Sequence, residues 1–293
     1  MINFNKPHFT GNEIIYIDQV IKSGNISGNG IFTQKNQRFF EQKYHFGKSL
    51  LTNSCTDALE MAAILCDIQT EDEVIIPSYT FVSTALPFVR QGAKIVFADS
   101  QERNPNIDAE KIEPLISERT KAIVPVHYAG ISCDMERIME LAKKYKLFVV
   151  EDAAHAIDSY YISETTNEKR SLGSIGHFSA FSFHETKNIV SGEGGLLNIN
   201  DPRFFERAEI IWEKGTNRSE FITGKIDKYG WVDTGSSFLP SEITAAFLFA
   251  QLESLEKIQE KRKSLWQTYD EFLRPLSQKG DFSVPMIPFY ATN

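Results

Sequence analysis

Short apolar runs alternate with amphipathic stretches along most of this chain. EVIIP near Val74, AKIVFAD ending at Asp99, KAIVPVHYAG around Val124 and KLFVVEDAA ending at Asp152 are β-branched and almost free of polar interruptions. Such runs suit strands buried on both faces. Between them, Thr56–Ile68 places Leu59, Ala62, Ala63 and Cys66 at spacings of three and four. Met135–Tyr145 groups Ile138, Met139, Leu141 and Ala142 on one side in the same way. Both segments predict helices packed by one face. Strands separated by helices predict an α/β fold with a mainly parallel sheet covered on both sides. From Ser241 to Phe272 the pattern reads as one long helix, entered after Pro240 with a serine cap and Glu242 in the first turn. That helix divides the chain into a large unit, 1–240, and a linking helix with the start of a smaller C-terminal unit, 241–293, which reads as truncated.

Composition narrows the function. With 293 residues, 42% hydrophobic and 24% charged, the chain has enough apolar material for a large core. Its net charge of −8 and the absence of a dense basic run argue against nucleic acid as partner. Cys55, Cys66 and Cys133 are too scattered for a disulfide framework or a cysteine metal site, which fits a reducing cytoplasm. No export signal or membrane-spanning run of apolar residues is visible.

Three stretches carry candidate chemistry. Asp152 closes the apolar run KLFVVED, and ligands of parallel sheets sit beyond the carboxyl ends of strands; it either serves that site or caps the residues that follow. LTNSCTDALE leads small polar residues, Ser54, Cys55, Thr56 and Asp57, straight into a helix. This is either an ordinary capped helix or an anion cradle of backbone N–H groups. FSFHETKNIVSGEGG places Ser182 and Lys187 after an apolar run and before flexible glycines. A surface lysine is the plain alternative, but Lys187 stands where burying a charge is costly, and that cost vanishes if the amine is consumed in a Schiff base. A lysine, a carboxylate and a phosphate cradle together are what pyridoxal 5'-phosphate requires.

EDAAH, FSFHETKN with SGEGG, PSYTFVSTA and VPVHYAG resemble the DegT/StrS-type sugar nucleotide aminotransferases, which belong to the fold type I PLP enzymes. The resemblance runs from about Phe4 to Leu276. It implies a PLP-dependent transferase fold of type I, with a three-layer α/β/α large domain and a small C-terminal domain that is incomplete here. Within the family, GAKIVF, LFVVEDAA, EKGTNRS, DKYGW and GSS resemble most the enzymes that make dTDP-4-amino-4,6-dideoxygalactose, a sugar of O-antigen and enterobacterial common antigen. Enzymes that aminate C3 share most of these motifs.

The resemblance assigns Lys187 as the Schiff-base lysine, Asp152 as partner of the pyridine nitrogen, and Phe81 as the residue stacked on the ring. His155 falls near the ring hydroxyl, or is a structural histidine. Ser182 and Thr56 with the adjacent backbone hold the phosphate. Ser237 stands where many members have an asparagine that reaches the neighbouring subunit's cofactor. Lys214, Asn217, Arg218 and Trp231 are candidates for substrate or partner contact, or belong to a surface loop. The implied reaction moves an amino group from glutamate to a nucleotide-linked keto-deoxysugar in a homodimer with shared active sites. A related branch that removes a sugar hydroxyl has histidine in place of this lysine, and Lys187 speaks against it. The contrasting reading is a non-catalytic relic that binds PLP or sugar nucleotide.

Overall fold

The computed structural model describes residues 5–280 and 282–292; Phe4 and Asn293 lie outside them. In chain order the elements are α1 (Glu13–Ser23), α2 (Ile31–Tyr44), β1 (Lys48–Thr52), α3 (Cys55–Leu65), β2 (Glu73–Pro77), α4 (Leu86–Arg90), β3 (Lys94–Ala98), β4 (Thr120–Ile123) and α5 (Met135–Tyr145). They continue with β5 (Phe148–Asp152), β6 (Tyr160–Ile162), β7 (Lys169–Ser171), β8 (Phe178–Ser182), β9 (Gly195–Ile199), α6 (Phe205–Trp212), α7 (Arg218–Ile222), α8 (Glu242–Glu253), α9 (Leu255–Ser277) and β10 (Ala291–Thr292).

Seven strands form the central sheet in the order β1-β9-β8-β5-β4-β2-β3. The five from β8 to β3 are parallel, whereas β9 runs antiparallel to both β8 and β1. Alternation along each strand divides the apolar residues between two cores. Ile75, Val149, Phe181 and Leu196 face a core shared with α2, α5 and α8. Val74, Ile76, Val150, Ala180 and Leu197 face a second core that includes α3 and α6. The result is the three-layer α/β arrangement expected from the apolar runs.

The helix expected from Ser241 to Phe272 is two helices, joined at Ser254. Their compositions differ. α8, EITAAFLFAQLE, buries residues around its circumference and packs against α1 and α2. α9 is buried only at Leu255, Ile258 and Gln259 and then carries largely exposed residues outward. A helix apolar all round belongs in a core, and one with a polar majority does not, and the break at Ser254 separates the two. After α9 the chain returns to the large layers. There β10 pairs with β6, and Tyr161 lies 5.7 Å from Tyr290, ring to ring.

Glu242 ties the start of α8 to the start of α2. Its buried carboxylate accepts the N–H groups of Gly30 at 2.9 Å, Phe32 at 2.7 Å and Thr33 at 3.0 Å, together with the Thr33 hydroxyl. It thus satisfies the open amides of a helix distant in sequence. Gly30 lacks a side chain where a Cβ would lie 2.5 Å from Glu242 Cδ. Glu242→Ala strands these amides in a dry site, and a loss of about 3 kcal/mol or more is expected. Urea unfolding of the variant beside the parent measures it; a loss below about 1 kcal/mol would show that the amides find other partners.

Candidate active site

The carboxyl ends of β5 and β8, the start of α3 and the turn after β2 surround a cavity of about 780 Å³. Asp152 and Lys187 both line it, as do Ser54, Cys55, Thr56, Phe81, His155 and Ser182. The structure therefore gathers eight of the residues singled out in the sequence at one place.

Asp152 is the last residue of β5 and is buried. One carboxylate oxygen accepts the Thr84 hydroxyl at 2.7 Å, and the other accepts the backbone N–H of Ala154 at 3.2 Å. Its own N–H donates to Pro125, and its carbonyl accepts the N–H of His127. The carboxylate does secure the turn after the strand, as the plain reading has it, and it also borders the cavity. Glu151, one residue earlier, points to the other face of the strand. It accepts from His127 Nε2 at 2.9 Å and from the N–H groups of Gly173, Ile175 and Gly176. Burial pushes this carboxyl up, yet the bonds from His127 and the backbone outweigh it and hold Glu151 below its ordinary value.

Ser54 caps α3 with its hydroxyl, which accepts the N–H of Asp57 at 3.0 Å. The next two amides, of Cys55 and Thr56, meet no protein acceptor among the described residues. Thr56 Oγ1 lies 2.9 Å from Ser83 Oγ. Gly195, the last glycine of SGEGG, lets this helix start sit directly on β9. A Cβ there would come within 2.3 Å of the Ser54 carbonyl and 2.4 Å of the Cys55 nitrogen. Gly195 thus shapes the cradle from β9.

Lys187 stands on a loop closed by backbone bonds from Phe183 to Gly194, Ser191 to Phe183 and Glu185 to Gly192. Asn188 reaches Gln259 on α9, which in turn donates to the Ile157 carbonyl. Burial lowers the Lys187 pKa below the usual lysine value, and Cys55 and Asp152 offset that only in part. His155 is also held low, first by burial and then by the charge of Lys187. Its Nδ1 accepts the Ala129 N–H at 3.2 Å, which leaves the proton on Nε2. Phe81 is 73% exposed at the rim of the cavity.

Six other residues from the sequence lie outside the cavity lining. Asp57 is one turn into α3. Ser237 is exposed, and its carbonyl accepts from Asn53. Lys214 is exposed, whereas Asn217 braces its own loop by accepting the Gly230 N–H and donating to Glu220. Arg218 pairs with Glu213, and Trp231 is 83% exposed. Conversely, Thr84, Ser83, Tyr79 and Tyr128 were not picked out from the sequence. Thr84 lies within the quoted PSYTFVSTA, but only contact with Asp152 reveals its part. Tyr79 and Tyr128 stack edge to face, and Tyr128 does so again on His155, forming an aromatic wall.

This geometry is that of a fold type I aminotransferase, and the comparisons agree. Residues 7–288 match the DegT/DnrJ/EryC1/StrS aminotransferase family. The chain belongs to this family. It is 35% identical over 269 residues to the spore coat polysaccharide biosynthesis protein SpsC of Bacillus subtilis, covering 91% of this chain and 67% of that protein. It is 32% identical over 273 residues to the GDP-perosamine synthase of Caulobacter vibrioides, covering 93% and 70%. The PLP-form of the sugar aminotransferase Spr1654 from Streptococcus pneumoniae superposes with a TM-score of 0.83 at 27% identity, covering 92% of this chain and 71% of that one. The cofactor of this family is pyridoxal 5'-phosphate. The free amides of Cys55 and Thr56 and the Cβ-free contact at Gly195 fit that group. No helix of the described residues is long and apolar enough to cross a membrane.

The depressed lysine has a consequence for stability without cofactor. In the unfolded chain the amine titrates near about 10.4, and in the folded chain lower. Between the two values the unfolded chain binds more protons, so stability rises with pH across that window. Below the window the folded chain bears the full cost of a partly desolvated charge. Cofactor-free Lys187→Met is therefore expected to melt above the parent at pH 7, with the gap narrowing as pH passes the lysine range. A gap of constant size across that range would assign the difference to packing instead of charge.

Proposed function

We propose that this chain takes the amino group of glutamate and delivers it to a keto group of a nucleotide-linked deoxysugar by a ping-pong reaction. The observation that carries this reading is the placement of Lys187 and Asp152 on one cavity whose floor is the open start of α3. Bound pyridoxal phosphate supplies an aldehyde to carry the amino group and a ring to accept electrons. The amides of Cys55 and Thr56, with the hydroxyls of Thr56 and Ser182, would hold the phosphate. Asp152, fixed by Thr84 and Ala154, would keep a proton on the ring nitrogen. Phe81 and His155, which line the same cavity, would contact the ring, His155 with Nε2–H to donate.

With cofactor and donor bound, the Lys187 amine would be the base placed on this cavity to take the proton from the donor's α-carbon and to give one back in the transfer. A lowered pKa suits this task, because more of the amine is unprotonated at neutral pH. In the second half-reaction the same amine moves a proton to and from the sugar carbon. We assign the finer substrate as dTDP-4-dehydro-6-deoxyglucose, aminated at C4, from the motifs GAKIVF, EKGTNRS and DKYGW. The GDP-perosamine synthase among the relatives supports a keto-sugar substrate. In this reading two chains pair, the loop of Lys214, Asn217, Arg218, Trp231 and Ser237 reaches the partner's cavity, and residues 241–293 lead from the cofactor unit, 1–240, toward a smaller one.

Absorbance spectra with pyridoxal phosphate, before and after glutamate, test the first half-reaction. The parent is expected to show a band that bleaches with glutamate, and Lys187→Ala to lack it and to turn over roughly 10²–10⁴-fold more slowly. A folded parent without such a band would refute the transfer reaction. With a dTDP-4-keto-sugar as acceptor, NMR of the product decides between amination at C4 and at C3.

The cradle has its own check. Gly195→Ala forces the Ser54–Cys55 peptide away from β9, and its dissociation constant for pyridoxal phosphate is expected to rise at least about tenfold, equal to ~1.4 kcal/mol. Unaltered affinity in the folded variant would place the phosphate elsewhere.

A further inference from the structure

A second cavity, of about 110 Å³, lies between α2, β1 and α6, apart from the catalytic pocket. Gln37 and Glu41 of α2, Lys48 and Ser49 of β1, and Glu209 and Glu213 from α6 and its end line it. Three buried polar atoms on these residues find no partner among the described residues: Gln37 Nε2, Ser49 Oγ and Glu213 Oε1. Ser49 is 2% exposed and Glu213 3%, so solvent does not serve them at the surface. Leaving one such group unmet costs about 1–3 kcal/mol, and three around one cavity point to an occupant.

Charge identifies its class. Glu209 pairs with Lys48, and Glu213 Oε2 accepts from Arg218 Nη1 at 3.1 Å. Glu41 has only the Ser49 N–H, at 2.9 Å. Three carboxylates against two cations leave one negative charge. Among the described residues no three His, Cys, Asp or Glu side chains converge to hold a metal ion. That removes the carboxylate-rich set that calcium takes.

We propose that this cavity binds a monovalent cation of the size of potassium or ammonium. Ser49 Oγ and Glu213 Oε1 are its ligands, joined by Gln37 Oε1 after a half-turn of an amide whose Nε2 finds no partner among the described residues. Because Glu213 is already paired with Arg218, the negative charge that balances the ion is that of Glu41 on the same lining. Glu213 also roots the loop that follows it: it bridges Ser237 through the backbone and Arg218 through its side chain. A cation there fixes the base of the loop that carries Lys214, Arg218 and Trp231.

Thermal unfolding of the full chain with pyridoxal phosphate, in chlorides of potassium, ammonium, sodium and tetramethylammonium at equal ionic strength, tests this. Potassium or ammonium is expected to raise the midpoint over tetramethylammonium by about 3 °C, saturably. The same ion is expected to slow trypsin cleavage after Arg218 and Lys225 several-fold. Ser49→Ala, which keeps every charge, is expected to lose the ion-specific increment, as is Gln37→Leu. Equal midpoints in all four salts would overturn the proposal and leave water as the occupant. An increment that survives in both variants would overturn it too, by locating the ion elsewhere.

Discussion

The end of β5 is the constraint on which the rest of the site depends. Two successive carboxylates there point to opposite faces because side chains alternate along a strand. Glu151 turns inward and gathers His127 and three amides of the turn before β8. Asp152 turns toward the cavity and takes the hydroxyl of Thr84. The first bond set fixes the register of β8 beside β5, with Asp152 opposite Ala180. Ser182 and the lysine loop leave from that strand, so the distance from carboxylate to amine is inherited from Glu151. A buried carboxylate with four donors is costly to disturb, since removing any one leaves the others around an under-satisfied charge.

Against this rigid pair stands a group whose charged form is costly to bury. Lys187 is partly desolvated, with no hydrogen-bond partner for its amine among the described residues. Its loop is nevertheless well secured, by the buried Ile189 and Val190 and by Asn188 on Gln259. The cost of burial therefore falls on the end of one side chain, within a loop whose backbone is well held. This is how local cost is tolerated at functional sites: surrounding packing determines the geometry, and the misfit group is left reactive. α9 contributes through Gln259, which gives a helix that otherwise runs into solvent a part in holding the lysine.

Much of this was legible in the sequence, for physical reasons. Parallel strands are buried on both faces, so EVIIP and KLFVVED read as strands without help from neighbours, and Met135–Tyr145 has the bounds expected. The α/β layers and the family followed. The single long helix did not hold, because local propensity continues smoothly through Ser254 and only the burial of α8 among α1 and α2 forces the break. The three-stranded sheet of β10, β6 and β7 escaped notice since its strands are short and pair across a long separation. Glu242 read as a first-turn acid of its own helix, and its service to α2 is a tertiary contact that no spacing reveals.

The site divides along the same line. Asp152, Lys187 and the Ser54–Thr56 turn were legible because each breaks a local rule or stands at a strand or helix end. Thr84 and Tyr128 break no rule, and they matter only through what they touch. The residues from Lys214 to Ser237 show the converse. They stood out in the sequence, yet within one chain they form a loop braced upon itself, with Trp231 outermost. Gly195 joins the two kinds of evidence. As a letter in SGEGG it marks flexibility; in the fold its φ is ordinary, and what it supplies is closeness. A helix start can serve an anion only if its first amides are brought to the cavity floor, and here a missing side chain on β9 allows the Ser54–Cys55 peptide to settle there.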